Sequence, residues 1–180
     1  ELRRRYFPGD PRWTIERGSI LDARYVADLD RFDVVYSWSV LHHTGALAEA
    51  IRNAAMLVKP GWQLVFALLG KTLLCRPWTR IKRWYAASDP QAQRRARESY
   101  IRLLWLAFKV TRRDFQSHVT QYRSKRGLDF EHDLHDWMRG YPCESIHPKA
   151  VARRMANFGF EPVRTNTRGY SIGFFATECD

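Results

Sequence analysis

Cysteine is scarce in this chain: Cys75, Cys143 and Cys179 are the only three among 180 residues. Their number is odd and no pair shows a CxxC spacing. That argues against a disulfide framework and against a zinc site, and it suits a reducing cytosol. Long apolar runs are missing too. The longest, "LLWLAF" at 103–108, falls far short of the ~20 residues that a membrane-spanning helix needs. No signal peptide or organelle-type leader is visible, so a cytoplasmic location is expected. Acidic side chains are lacking only locally. Residues 71–126 hold 15 Lys and Arg against 3 Asp and Glu, whereas 1–70 hold 9 against 8 and 127–180 hold 6 against 8. The excess behind the net charge of +11 therefore sits in the middle third.

What is present is enough for one domain with a core, since 45% of the residues are hydrophobic and 14% aromatic. "WTIERGSIL" at 13–21 reads as a short strand closing on Gly18. "FDVVYSW" at 32–38 is a mostly apolar run with two adjacent valines, the pattern of a strand buried on both faces. A helix follows at 46–58, with Leu47, Ala50, Ile51, Ala54 and Leu57 on one face. "KPG" then breaks the chain before a further strand at 62–69. Strand, helix, strand is an α/β unit with parallel strands and a right-handed crossover.

After Gly70 the pattern turns helical, basic and aromatic through residue 126, with a break at "SDPQ". Residues 127–143 read as an ordered loop or lid with short helical pieces. A helix at 147–160 has Pro148 in its first turn and Gly159 at its end. "EPVRTNT" and "SIGFFATE" make an antiparallel hairpin around Arg168-Gly169. Three parts are expected: residues 1–70, a helical insertion and lid over 71–143, and a closing helix and hairpin over 144–180.

Two histidine-bearing stretches carry candidate chemistry. "LHHTG" at 41–45 follows an apolar strand directly, so His42 and His43 stand as metal ligands, a helix cap, or the polar wall of a pocket. Adjacent residues are expected to point apart, and metal binding needs further converging ligands. No metal is expected there. "EHDLHD" at 131–136 offers His132, Asp133, His135 and Asp136, and on a helix 132, 135 and 136 share a face. One turn alone makes a weak, open metal site, so a lid that hydrogen-bonds substrate or its own backbone is the simpler reading.

"IERGSILD", "FDVVYSWSVLHHTG", "LVKPGWQLVFAL" and the C-terminal helix and hairpin together resemble class I S-adenosylmethionine-dependent methyltransferases. The similarity is to the ubiquinone-biosynthesis-like, general small-molecule branch. "RGLDFEHDLHDWMRGYPCE" is similar to a segment in a subset of that branch. The resemblance implies a Rossmann-like sheet of strand order 3-2-1-4-5-7-6, with S-adenosylmethionine over the C-terminal strand ends. Strands 3 to 7 would be present here, with a basic helical insertion after strand 5. Strands 1 and 2, with the glycine-rich loop and the ribose-binding acid, would be missing, because nothing before Trp13 contains either motif. A fragment of a larger enzyme, binding cofactor poorly, is expected.

By the same resemblance, Ser19, Ile20 and Asp22 would meet the adenine, against the alternative of a plain turn with Asp22 as helix cap. Ser37 and Trp38 would line the cofactor side. His43 would act as the catalytic base, and His42, His132, Asp133 and Tyr141 would face a small-molecule substrate, for which a lipid-soluble compound is one candidate. Trp62 stands where the family more usually has a second glycine. The basic helices at 71–113 carry Arg76, Arg80, Lys82, Arg83, Arg94, Arg95 and Arg97 interleaved with Trp78, Trp84, Tyr85, Tyr100 and Trp105. They are expected to touch an anionic membrane peripherally. No RNA-binding signature is present, so nucleic acid is not expected as a partner; a non-catalytic remnant that binds membrane or nucleic acid is the alternative.

Overall fold

The computed structural model describes residues 5–6, 8–11 and 13–167, and the backbone of 171–178. The short helix α1 (Ala23–Ala27) starts where Asp22 accepts hydrogen bonds from the Arg24 and Tyr25 amides. Strand β1 (Phe32–Trp38) leads through a 3₁₀ turn (Leu41–His43) into helix α2 (Leu47–Met56). Strand β2 (Val58–Leu69) then lies parallel to β1, from Val34 beside Gln63 to Trp38 beside Ala67.

"KPG" does not end the crossover as expected but lies inside β2. Between Phe32 and Val34 the partner jumps from Val58 to Gln63, so residues 59–62 bulge out of register. Pro60 lacks an amide hydrogen and Gly61 takes a left-handed φ of 74°. A bulge accommodates both without leaving the strand.

Four helices follow: α3 (Cys75–Ala87), α4 (Pro90–Val110), α5 (Phe115–Arg126) and α6 (Phe130–Arg139). Asp89, Asp114 and Asp129 cap the last three, each accepting from two backbone amides. The region read as a loop or lid is thus largely a regular helix, α6. Its apolar Leu134 and Met138 pack with Tyr85 of α3. The chain returns beside its own exit: the Ile146 amide donates to the Leu69 carbonyl and the Lys71 amide to the Ile146 carbonyl.

Helix α7 (Pro148–Asn157) is capped by His147, and Gly159 follows it at a φ of 84°. Strands β3 (Phe160–Asn166) and β4 (Ser171–Glu178) pair antiparallel, and β4 also pairs antiparallel with β2. The expected turn at Arg168-Gly169 lies outside the described residues. The sheet order is β1-β2-β4-β3. One face packs α2 and α7 around Ile51, Val58, Leu64, Phe66, Val151, Met155 and Phe160. On β1, alternate residues Val34, Tyr36 and Trp38 stay exposed on the other face. Burial on both faces, expected for this strand, is therefore not met.

The expected strand at 13–21 does not form. Residues 13–19 run without regular structure, and 14–19 are exposed. An extended segment becomes a strand only when a neighbour takes its backbone hydrogen bonds, and no described strand runs beside it.

Candidate functional site

In open α/β sheets, ligands sit outside the carboxyl ends of the parallel strands. Here β1 ends at Trp38, and Ser39 takes a left-handed φ of 59° while its amide donates to the Ala67 carbonyl. A non-glycine residue so placed is strained, and it turns the chain sharply into Leu41–His43. The Thr44 hydroxyl donates to the Leu41 carbonyl at 2.8 Å and closes that turn.

Gly140–Glu144, the segment after α6, lies over this turn. His43 Nδ1 is 2.9 Å from the Pro142 carbonyl. A carbonyl only accepts, so Nδ1 carries the hydrogen and the lone pair of His43 sits on Nε2. A Cβ on Gly140 would approach His43 Cε1 to 3.0 Å, so the ring is also held by shape. The Glu144 amide donates to the His42 carbonyl, and its carboxylate accepts from the Leu47 amide at 2.5 Å. Ala46, the N-cap of α2, offers no side-chain cap, and Glu144 supplies one from 97 residues away.

His42 and His43 do not diverge as adjacent residues were expected to: their ring centroids are 4.3 Å apart in the 3₁₀ turn. His42 is 7% exposed, and burial, then the charges of His43 and Lys82, lower its pKa to about 4. It is neutral at neutral pH. Cys143 is buried beside it, and desolvation outweighs the nearby Lys82 charge in raising its thiol pKa.

The other candidates sit as follows. Ser37 and Trp38 are adjacent on β1 and so point to opposite sheet faces. Trp38 stacks on Tyr36 at 6.1 Å on the exposed face. The 18–22 turn is closed by the Asp22 amide donating to the Ser19 carbonyl and the Leu21 amide donating to Ser19 Oγ. Asp22 caps α1. Asn53, buried on α2, donates to the Ile20 carbonyl at 2.7 Å. The Tyr25 ring lies close over Gly18, where a Cβ would come within 2.1 Å of it unless the ring moved.

Tyr141 borders the His43 segment, and its hydroxyl accepts from Arg83 Nε at 2.9 Å. His132 and Asp133 open onto different cavities of the helical region. His132 lines one of about 520 Å³ with Arg97, Phe115 and His135, and pairs with Asp129. Asp133 accepts from the Tyr122 hydroxyl and pairs with Arg126. Asn53, Cys143 and Glu144 were not singled out from the sequence. A polar Asn beside the apolar face of α2 was the one available signal.

The basic helices are less uniformly solvated than their composition suggests. Lys82 is buried, donating to the Trp137 carbonyl at 2.6 Å under the Trp137 ring. Arg97 donates to the Tyr85 hydroxyl. Trp78 is half-buried and packs edge-on against Trp137 at 4.7 Å and Tyr100 at 6.0 Å.

No family profile matches the chain, and no curated protein does. Solved structures align with it at low identity. An O-methyltransferase family protein from Burkholderia thailandensis is 16% identical over 92% of this chain and 35% of its own, with a TM-score of 0.49. Human N-acetylserotonin methyltransferase, solved with S-adenosylmethionine, is 9% identical over 98% of this chain and 37% of its own, at 0.45. Magnesium protoporphyrin IX methyltransferase from Synechocystis, with bound S-adenosylhomocysteine, is 18% identical over 84% and 47%, at 0.39. The chain thus spans between a third and a half of the length of these structures, each of which is a methyltransferase.

Proposed function

We propose that this chain is the C-terminal part of a class I methyltransferase, moving a methyl group from S-adenosylmethionine to a small-molecule acceptor. The strand order carries the reading. β1-β2-β4-β3, with β1 and β2 parallel and β4 antiparallel to both neighbours, coincides with the 4-5-7-6 half of the order implied by the sequence resemblance. The residues present fit only part of the cofactor. The turn at Ser19–Asp22 suits the adenine edge and the end of β1 suits the methionine portion, but no glycine-rich turn or ribose acid precedes Trp13.

When bound, the cofactor supplies an electrophilic methyl group. The chain's own part is to place an acceptor near the strand end and to hold His43 with its Nε2 lone pair free. A hydroxyl or phenol proton can pass to that atom as the acceptor attacks. Line-up of the reacting atoms in a dry pocket provides the rest.

Three measurements test this. Calorimetric titration of the 180-residue chain with S-adenosylmethionine should show no tight binding. Coding DNA upstream of Glu1 should carry an in-frame GxGxG-type segment roughly 60–80 residues earlier, the span of two βα units. In the protein extended by that segment, His43→Ala should lower turnover more than cofactor affinity. Micromolar binding by the short chain, or an upstream reading without the segment, would overturn the fragment reading. Lost cofactor binding with intact turnover at saturation would overturn the role of His43.

A peripheral membrane contact rests on a separate observation. Helix α4 buries none of its residues, and Leu103, Leu106 and Val110 form an exposed stripe beside Arg102, Lys109 and Trp105. No described helix is long and apolar enough to cross a membrane, but this one suits an anionic surface. Binding to anionic vesicles should exceed binding to neutral ones, and charge reversal at Arg80, Arg83 and Arg94 should remove the preference. Trp84→Ala and Trp105→Ala should weaken binding even at high salt, where the Debye length shrinks to about 3 Å. RNA binding without vesicle binding would refute it.

A further inference from the structure

Among the described residues, one buried side-chain nitrogen or oxygen has no hydrogen-bond partner: Nδ1 of His42. Such an atom is rare in a folded protein and calls for an explanation. Its surroundings supply one. One ligand-type atom from each of His42, His43 and Cys143 lies within 4.8 Å of the other two, and both His42 and Cys143 are buried. Two imidazoles and a thiol are the donors that select a borderline-soft divalent ion.

We propose that His42, His43 and Cys143 form a zinc-class metal site, with Nδ1 of His42 as one ligand and the Cys143 thiolate as another. Three features favour it. The buried Nδ1 of His42 has no hydrogen-bond partner among the described residues, which leaves it available to a metal. The hydrogen bond from His43 Nδ1 to the Pro142 carbonyl is the outer contact that metal-bound histidines use to fix tautomer and ring orientation. The two ligand segments are already fastened to each other by Glu144, which bonds to the His42 carbonyl and the Leu47 amide. On binding, the thiol proton leaves to solvent and sulfur takes the metal.

The donors stand somewhat wide of their final places. Tetrahedral bonds of about 2.0 Å to nitrogen and 2.3 Å to sulfur put ligand atoms roughly 3.3–3.6 Å apart, so separations of up to 4.8 Å would close by at most about 1.2–1.5 Å. Three protein ligands leave a fourth position open, for water or an oxygen ligand. The Lys82 charge opposes a cation nearby, although its ammonium is held by the Trp137 carbonyl and ring. The site does not depend on the methyl-transfer reading. It would take up the His43 lone pair which that reading leaves free for a proton.

The test is titration of the 180-residue chain with Co²⁺, then displacement by Zn²⁺ against a chromophoric chelator. Circular dichroism should confirm that every variant keeps the wild-type helix content. One Co²⁺ per chain should bind, with a thiolate-to-metal charge-transfer band in the near ultraviolet. Cys143→Ser should abolish the band, and His42→Gln should weaken binding on the order of 10–100-fold or more. Lys82→Met, which removes the opposing charge, should tighten it. Folded wild-type protein that binds no Co²⁺ would overturn the proposal. So would a charge-transfer band that survives Cys143→Ser, since Cys75 or Cys179 would then be its source.

Discussion

Replacing Asn53 probes the tether between the core helix and the turn at 18–22. Its side chain is buried, and its amide nitrogen donates to the Ile20 carbonyl at 2.7 Å. Asn53→Ala leaves that carbonyl without its partner in a partly buried place, which costs about 1–3 kcal/mol. At ~2 kcal/mol, a chain of this size should melt about 4–8 °C lower. Asn53→Asp should do worse at neutral pH, because it sets a carboxylate against a carbonyl oxygen. Burial and that carbonyl both raise the carboxyl's folded pKa above its unfolded value near ~3.9. A raised pKa contributes stability below the unfolded value that is lost as pH rises through the folded one. The Asp variant should therefore recover toward pH ~4, where its protonated carboxyl donates to Ile20. Urea denaturation at pH 7 and pH 4 measures both effects, and amide exchange of Ile20–Asp22 reports whether the turn loosens. A loss under about 0.5 kcal/mol for Ala, which is ordinary for a surface change, or no acid recovery for Asp, refutes the tether.

Glu144→Ala should cost about 1 kcal/mol for the lost cap of α2 and ~0.3–1 more for the carboxylate at the helix N-terminus; Glu144→Gln should restore only the first part in thermal melts. Trp78→Ala should lose ~3 kcal/mol of stability, as expected for a packed aromatic, while Trp84→Ala should stay within about 0.5 in the same denaturation assay. Tyr122 bonds to Asp133, and burial first, then that bond, lifts its pKa to about 12. Its contribution relative to Tyr122→Phe should be constant below its ordinary pKa of 10 and fade as pH rises through about 12. Tyrosinate absorbance and denaturation curves across that range check it.

Elements specified by their own residues could be read from the sequence. The valine pair of β1, the 3.6-residue spacing of α2 and the Pro148 and Gly159 signals around α7 all lie where expected. What depends on distant partners could not. "WTIERGSIL" has strand-like residues but no strand beside it. Lys82 and Trp78 belong to a basic, aromatic stretch, and only the packing of α6 turns them inward. His42 was visible as a candidate, but Cys143 and Glu144 reach it only because the chain returns about a hundred residues later. Spacing rules for metal sites are blind to such a meeting. His43 and the 18–22 turn were named from the sequence, whereas the contacts that hold them, from the Pro142 carbonyl and the Asn53 side chain, were not.

The position of β2 in the sheet sets a schedule for synthesis. It pairs with β1, only about thirty residues earlier, but its other edge waits for β4, which begins at Ser171. At ~5–20 residues per second a ribosome needs about 5–20 s to reach that point. Meanwhile the helices of 75–139 can form and pack on one another, since contacts such as that of Lys82 with the Trp137 carbonyl close within this segment and do not wait for β4. The half-built sheet presents an open, apolar β2 edge throughout, the kind of edge that recruits strands from other chains. Soluble yield should thus depend on translation speed and chaperone supply more than the finished fold would suggest.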